Sequence, residues 1–169
     1  MSKTGTTSLT TALSTLGYRC LHYPPLPELH ELLIGNDAIT DTSVACCFES
    51  LDECYPGSKF ILTTRDPASW LNSARAEFYG RPVNEEWKLE VRRRLYRTTE
   101  WNEALFREAF VRHEIRVKLY FASRPQDLLV LNIFRGDGWK EICSFLGTPS
   151  PTIPFPHENQ THKTQSTNR

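Results

Sequence analysis

The chain has 169 residues, 20 basic and 20 acidic side chains and 39% hydrophobic residues, which fits one globular domain around one core. A formal net charge of zero offers no general field to a polyanion, so nucleic-acid binding is not expected and any anion site must come from a few placed residues. No stretch reaches the roughly 18 apolar residues of a membrane span, and Met1-Ser2-Lys3-Thr4-Gly5 has no apolar signal core, which predicts a cytoplasmic protein.

Leu9, Ala12, Leu13 and Leu16 recur at helical spacing, after Thr6-Thr7-Ser8 and before Gly17, and predict a capped amphipathic helix. Tyr18 to Tyr23 reads as a strand stopped by Pro24-Pro25, and Pro27 to Ile34 as a short helix. Cys46 and Cys47 fall on a helical segment that continues through Phe48, Leu51 and Tyr55 to Pro56-Gly57. Lys59 to Arg65 is the clearest strand and passes at Asp66-Pro67 directly into a helix carrying Trp70, Leu71, Ala74 and Phe78.

Glu85 to Ser123 predicts two charged helices that bury Trp101 and Phe110. Leu128 to Phe134 predicts a second apolar strand, parallel to and near the first, and Trp139 to Leu146 a helix ended by Gly147. Short apolar strands alternating with amphipathic helices predict an α/β domain over residues 1–149 with a mostly parallel sheet, followed by a polar tail over 150–169. The five cysteines, Cys20, Cys46, Cys47, Cys54 and Cys143, are odd in number and form no C-x-x-C pair. Buried free thiols are therefore expected, and no metal site.

Two segments could hold an anion. Lys3-Thr4-Gly5-Thr6-Thr7-Ser8 stands before a helix, where backbone N–H groups and the helix dipole favour negative charge. Its lysine precedes the glycine, unlike the loop of ordinary nucleoside triphosphatases. Arg65 ends a strand and Ser73 lies two turns into the next helix, so a guanidinium and a hydroxyl can face one phosphate beyond the strand's carboxyl end. His22 at the end of a strand is the first candidate general base and Asp41 the second. Arg92-Arg93-Arg94 reads as a solvated face, or else as a docking patch for an acidic acceptor.

Taken together, Lys3 to Leu9 resembles the 5′-phosphosulfate loop of sulfotransferases that use 3′-phosphoadenosine 5′-phosphosulfate (PAPS), and Arg65 through Ser73 is similar to their 3′-phosphate motif. The similarity to compact P-loop sulfotransferase-like proteins continues through Asp41, Phe48, Leu51, Pro56 to Leu62, Trp70, Asp137-Gly138-Trp139 and Phe145-Leu146-Gly147.

The resemblance implies a P-loop-type three-layer fold, PAPS as co-substrate without a metal, and a small-molecule or glycan acceptor with a hydroxyl or amine. It implies that Lys3, Thr4, Gly5, Thr6, Thr7 and Ser8 hold the 5′-phosphate, and that Arg65, Ser73 and Arg135 hold the 3′-phosphate. The catalytic set becomes Lys3 with His22 or Asp41. Alternatives are an inactive binding protein of the same fold and a P-loop nucleotide kinase. Family members place an apolar strand before the lysine, whereas only Met1 and Ser2 precede Lys3. The expectation is a truncated domain lacking its first, central strand, with Leu9, Leu13 and Leu16 exposed and a tendency to self-associate.

Overall fold

The structure, a computed structural model, describes residues 1–158. Helix α1 (Thr6–Thr15) leads to strand β1 (Cys20–His22), helix α2 (Leu29–Gly35) and strand β2 (Ala38–Thr40). Helices α3 (Thr42–Ala45) and α4 (Phe48–Cys54) precede strand β3 (Phe60–Thr63). Helices α5 (Pro67–Phe78), α6 (Glu86–Tyr96) and α7 (Glu103–Tyr120) then lead to strand β4 (Leu128–Leu131) and helix α8 (Trp139–Leu146).

The strands pair in parallel. Cys20, Leu21 and His22 face Ala38, Ile39 and Thr40, while Phe60 to Thr63 run beside Leu128 to Leu131 in register, as their apolar runs predict. The β3–β4 sheet is covered on both faces because alternate residues point to opposite sides. Ile61, Leu129 and Leu131 join Leu9, Leu13 and Ile142 of α1 and α8. Phe60, Leu62 and Leu128 meet Phe48, Val117 and Phe121 of α4, α7 and the turn beyond it. That is the helix–sheet–helix layering of an α/β fold.

The sheet is not continuous. β1 pairs with β2 and β3 with β4, but β2 and β3 are unpaired with each other. A cavity of about 540 Å³ separates them, lined by Ala38 to Thr40 and Phe60 to Thr63 together with Leu9, Leu13 and Val117.

Leu9 and Leu13 are nevertheless buried, at 4% and 6% exposure, and Leu16 is partly buried, correcting the expectation that they lie open. Their helix packs on Leu131, Ile133 and Ile142, which shield it from the other side.

The largest core cluster is aromatic and lies beside the sheet. Trp70 of α5 stacks on Phe110 at 4.4 Å, and Tyr96 on Phe106 at 4.0 Å, locking α5, α6 and α7 together. Phe110 is buried and Trp101 half-buried. At the end of α7, Tyr120 donates to Asp52 at 2.8 Å, and Arg124 of the turn beyond it pairs with the same carboxylate at 2.6 Å, tying this end of α7 to α4.

Three further differences have local causes. The predicted strand through Phe134 ends at Leu131, because Ile133–Arg135 turns as a 3-10 helix. Cys46 and Cys47 lie at the junction of α3 and α4 rather than within one helix. Of the free thiols Cys143 is buried, three are half-buried and Cys54 is exposed at the end of α4. The first part of the polar tail docks on the domain: Trp139 Nε1 donates to the Ile153 carbonyl at 2.8 Å, and the Glu158 amide to Ser8 Oγ at 2.9 Å. Residues 159–169, the end of the expected tail, lie outside the described residues.

Candidate active site

The carboxyl ends of the strands converge on one cleft of about 840 Å³. His22 ends β1, Asp41 follows β2, Arg65 lies just beyond β3 and Phe134 just beyond β4; all four line it. Ligands bind at this edge in open α/β sheets because successive loops there point the same way. The opposite walls come from the Ser2–Thr7 loop, from Ser73, Glu77 and Phe78 of α5, and from Lys88, Arg92 and Tyr96 of α6.

The loop before α1 bridges the two halves of the sheet. Thr4 is fully buried, its hydroxyl 2.6 Å from that of Thr63 and 2.5 Å from the Met1 carbonyl. Thr6 donates to Asp41 Oδ2 at 2.9 Å, Trp70 Nε1 to the Ser2 carbonyl at 2.9 Å and Arg65 to the Lys3 carbonyl at 3.3 Å. These bonds fix the loop although no strand runs into it. Lys3 and Gly5 take positive φ angles of 65° and 95°, and glycine suits the second because a Cβ there would meet Ile133 at 2.9 Å.

Lys3, Gly5, Thr6 and Thr7 of the predicted phosphate loop line the cleft. Thr4 and Ser8 lie beneath it, Thr4 holding β3 and Ser8 the tail. Lys3 contacts Glu77 at 3.4 Å across the cleft, and Glu77 also meets Arg81 at 3.6 Å. Arg65 donates to Ser69 Oγ at 2.9 Å and lies 4.0 Å from the Phe134 ring, with no carboxylate bridged to it among the described residues. Partial burial lowers its pKa from the ordinary arginine range. A half-buried guanidinium with no carboxylate in ion-pair contact among the described residues, with Ser73 in the same cleft, is suited to an anion. Arg135 is exposed and does not line the cleft; Gly136, at φ 100°, ends the turn that carries it. The neighbouring Phe134, which the sequence did not mark, enters instead.

His22 and Asp41 come together, with His22 Nε2 3.4 Å from Asp41 Oδ2. His22 Nδ1 lies 3.1 Å from Thr40 Oγ1. The Asp41 side chain is 7% exposed and already accepts from the Thr42 amide at 2.6 Å and from Thr6, whereas the His22 side chain is 33% exposed. Both strand ends are conformationally strained: Asp41 has φ 83° and Tyr23, next to His22, has φ 51°. Non-glycine residues adopt such angles where surrounding bonds over-determine them, as functional sites often require.

A sequence profile described as "Sulfotransferase domain" matches residues 24–164. The chain belongs to the sulfotransferase domain family. The match takes in Asp41, Arg65 and Ser73 and begins after the Lys3 loop and His22. The chain is also 26% identical over 155 residues to "Ava biosynthesis cluster protein M" of Aspergillus versicolor, covering 77% of this chain and 56% of that protein. It thus spans about half the length of this curated relative. The family carries an α/β, P-loop-like fold, which the layered parallel strands share.

Among the described residues no helix is long and apolar enough to cross a membrane, and no three His, Cys, Asp or Glu side chains gather as a metal site. Sequence reasoning assigned the acceptor pocket to His22 to Asn36 and to the helices from Glu77 to Ser123, without singling out Glu77, Phe78 or Tyr96, and it did not mark Phe134. Glu77 and Phe78 continue the helix that carries Ser73, and their approach to residues far apart in sequence left no local signal.

Proposed function

We infer that this sulfotransferase-family chain moves a sulfuryl group from PAPS to a hydroxyl or amine of a small-molecule acceptor. The observation that carries the reading is Arg65, a half-buried cation without a bridged carboxylate among the described residues, in one cleft with Ser73 and the amino end of α1. These residues fit a nucleotide with phosphates at both ends. Lys3, Gly5, Thr6 and Thr7 would hold its 5′ side, with Thr4 and Ser8 supporting the loop, while Arg65 and Ser73 would hold the 3′-phosphate. Arg135 would reach it only if its turn moved.

PAPS supplies the activated sulfuryl group. The bond between sulfur and the acceptor oxygen or nitrogen forms as the bond from sulfur to the phosphate oxygen breaks, leaving adenosine 3′,5′-bisphosphate. Lys3, freed from Glu77, neutralises charge growing on the leaving phosphate, and the fixed loop holds it in line, so catalysis rests on positioning and charge stabilisation. His22 takes the acceptor proton at Nε2 while Nδ1–H donates to Thr40. Asp41, beside Nε2, then stabilises the imidazolium and is itself the alternative base.

Adenosine 3′,5′-bisphosphate should raise the unfolding temperature more than adenosine 5′-monophosphate, and Arg65→Ala should abolish the difference. Equal shifts in the wild type, or a preference that survives Arg65→Ala, would contradict the assignment. Binding of the bisphosphate with no transfer to any acceptor would instead favour an inactive binding protein, a reading supported by the cavity behind the loop. Preference for ATP with magnesium would point to a kinase.

A further inference from the structure

The triplet Arg92-Arg93-Arg94 divides in the structure. Arg93 pairs with Glu86 and Glu90, and Arg94 with Glu90, on the outer face of α6. Arg92 turns inward and is 9% exposed. One of its N–H groups donates to the Thr99 carbonyl at 2.8 Å, and the guanidinium lies 4.9 Å from the Phe78 ring. No carboxylate bridges to it among the described residues. Glu77 acts on it only through space, and a guanidinium this buried without a carboxylate in ion-pair contact is costly.

One turn along the same helix, Tyr96 is 1% exposed and its hydroxyl has no hydrogen-bond partner among the described residues. A buried hydroxyl left unpaired also costs free energy, and native structures seldom keep one without a reason. Arg92 and Tyr96 line the same cleft as the Lys3 loop and His22. The remaining polar neighbours are committed: Lys88 pairs with Glu85 at 2.5 Å, and Glu77 with Lys3 and Arg81. The surrounding surface is apolar or aromatic, with Tyr23, Phe78, Val83 and Val91.

Resting on the sulfotransferase reading above, we propose that Arg92 and Tyr96 form the acceptor-recognition end of the cleft and select an acceptor that carries a carboxylate on an aromatic or apolar frame. A guanidinium with no carboxylate in ion-pair contact among the described residues can take one negative charge, and its planar donors match a carboxylate, with the Tyr96 hydroxyl able to donate to the same group. The flanking rings supply flat apolar contact for the frame. The carboxylate is a handle and takes no part in sulfuryl transfer; the hydroxyl or amine elsewhere on the acceptor faces His22.

The test uses the full chain with saturating adenosine 3′,5′-bisphosphate, titrated with 4-hydroxybenzoate and with its neutral isostere 4-hydroxybenzamide, and followed by calorimetry and thermal unfolding. The wild type should bind the carboxylate about tenfold more tightly than the amide, as expected for one charge-assisted hydrogen bond. Arg92→Met should lose that preference, Arg92→Lys should keep part of it, and Tyr96→Phe should reduce it severalfold. Tyr96→Phe should unfold at the same temperature as the wild type or higher, because it removes an unpaired buried hydroxyl, so its binding defect cannot be attributed to misfolding. Equal binding of the two probes by the wild type, binding of neither, or a preference that survives both Arg92→Met and Tyr96→Phe would overturn the proposal. Carboxylate preference without any response to the bisphosphate would uphold this subsite and sink the PAPS assignment.

Discussion

At the scale of single residues the cleft is defined by what its cations and its histidine are bonded to. Arg65 keeps its charge available because its donors meet Ser69 and a backbone carbonyl rather than a carboxylate. Its place in the cleft was legible from a basic residue at a strand end followed by a serine-bearing helix. Asp41 could be named as a candidate, but its contact with His22 could not, since it depends on two strands being registered side by side. For His22→Gln we expect sulfuryl transfer to fall about 10²- to 10⁴-fold with bisphosphate affinity nearly unchanged. Isothermal calorimetry and steady-state rates measured on the same preparation would show this. Equal loss of both would mean that His22 shapes the loop instead.

At the scale of elements, the loop before α1 is held by neighbours distant in sequence: Thr63, Asp41, Trp70 and Arg65. Gly5 sits at its turn, so Gly5→Ala should cost about 1–2 kcal/mol of stability and more in bisphosphate affinity, as read by denaturant unfolding and calorimetry. Glu77 of α5 contacts Lys3, and on the proposed reading it would compete with a bound phosphate for that lysine. Glu77→Gln should therefore tighten bisphosphate binding a few-fold, a modest effect because both side chains are partly solvated. Helices α1, α5, α6, α7 and α8 could be read from apolar spacing over two or more turns. Strand β2 and helix α3 could not, because Ala38 to Ala45 is short and mostly small or polar. Its structure comes from pairing with β1 and from the side chain of Asp41, which accepts from the Thr42 amide at the start of α3.

At the scale of the whole molecule the sheet is divided. The facing edges of β2 and β3 are unpaired across the cavity, and unpaired strand edges next to apolar surface are weak points. Adding about eight to ten strand-forming residues ahead of Met1 should raise the denaturation midpoint by filling that space, whereas the same residues with two prolines should not. Acid is a second weakness. His113, buried against Phe48, has its pKa pushed down to about 3 first by burial and then by neighbouring positive charge. The unfolded chain takes up this proton near pH 6.5 and the folded one only near 3, so stability falls as pH drops through that window. The loss by pH 4 is roughly 3 kcal/mol, and His113→Phe should flatten the dependence in urea titrations at pH 7 and pH 4. The layered fold could be anticipated from alternating strands and helices; the division of its sheet could be located only once the register of the strands was known.

The most direct measurement of the central claim is transfer of labelled sulfate from PAPS to a panel of phenols, alcohols and amines, each supplied with and without a carboxylate, by the wild type, Arg65→Ala and His22→Gln. The account predicts a labelled acceptor and an equal amount of adenosine 3′,5′-bisphosphate with the wild type, at least tenfold less with either variant, and the carboxylate-bearing acceptors labelled first. No labelled product with the wild type at saturating PAPS, or product formed as fast by both variants, would contradict it.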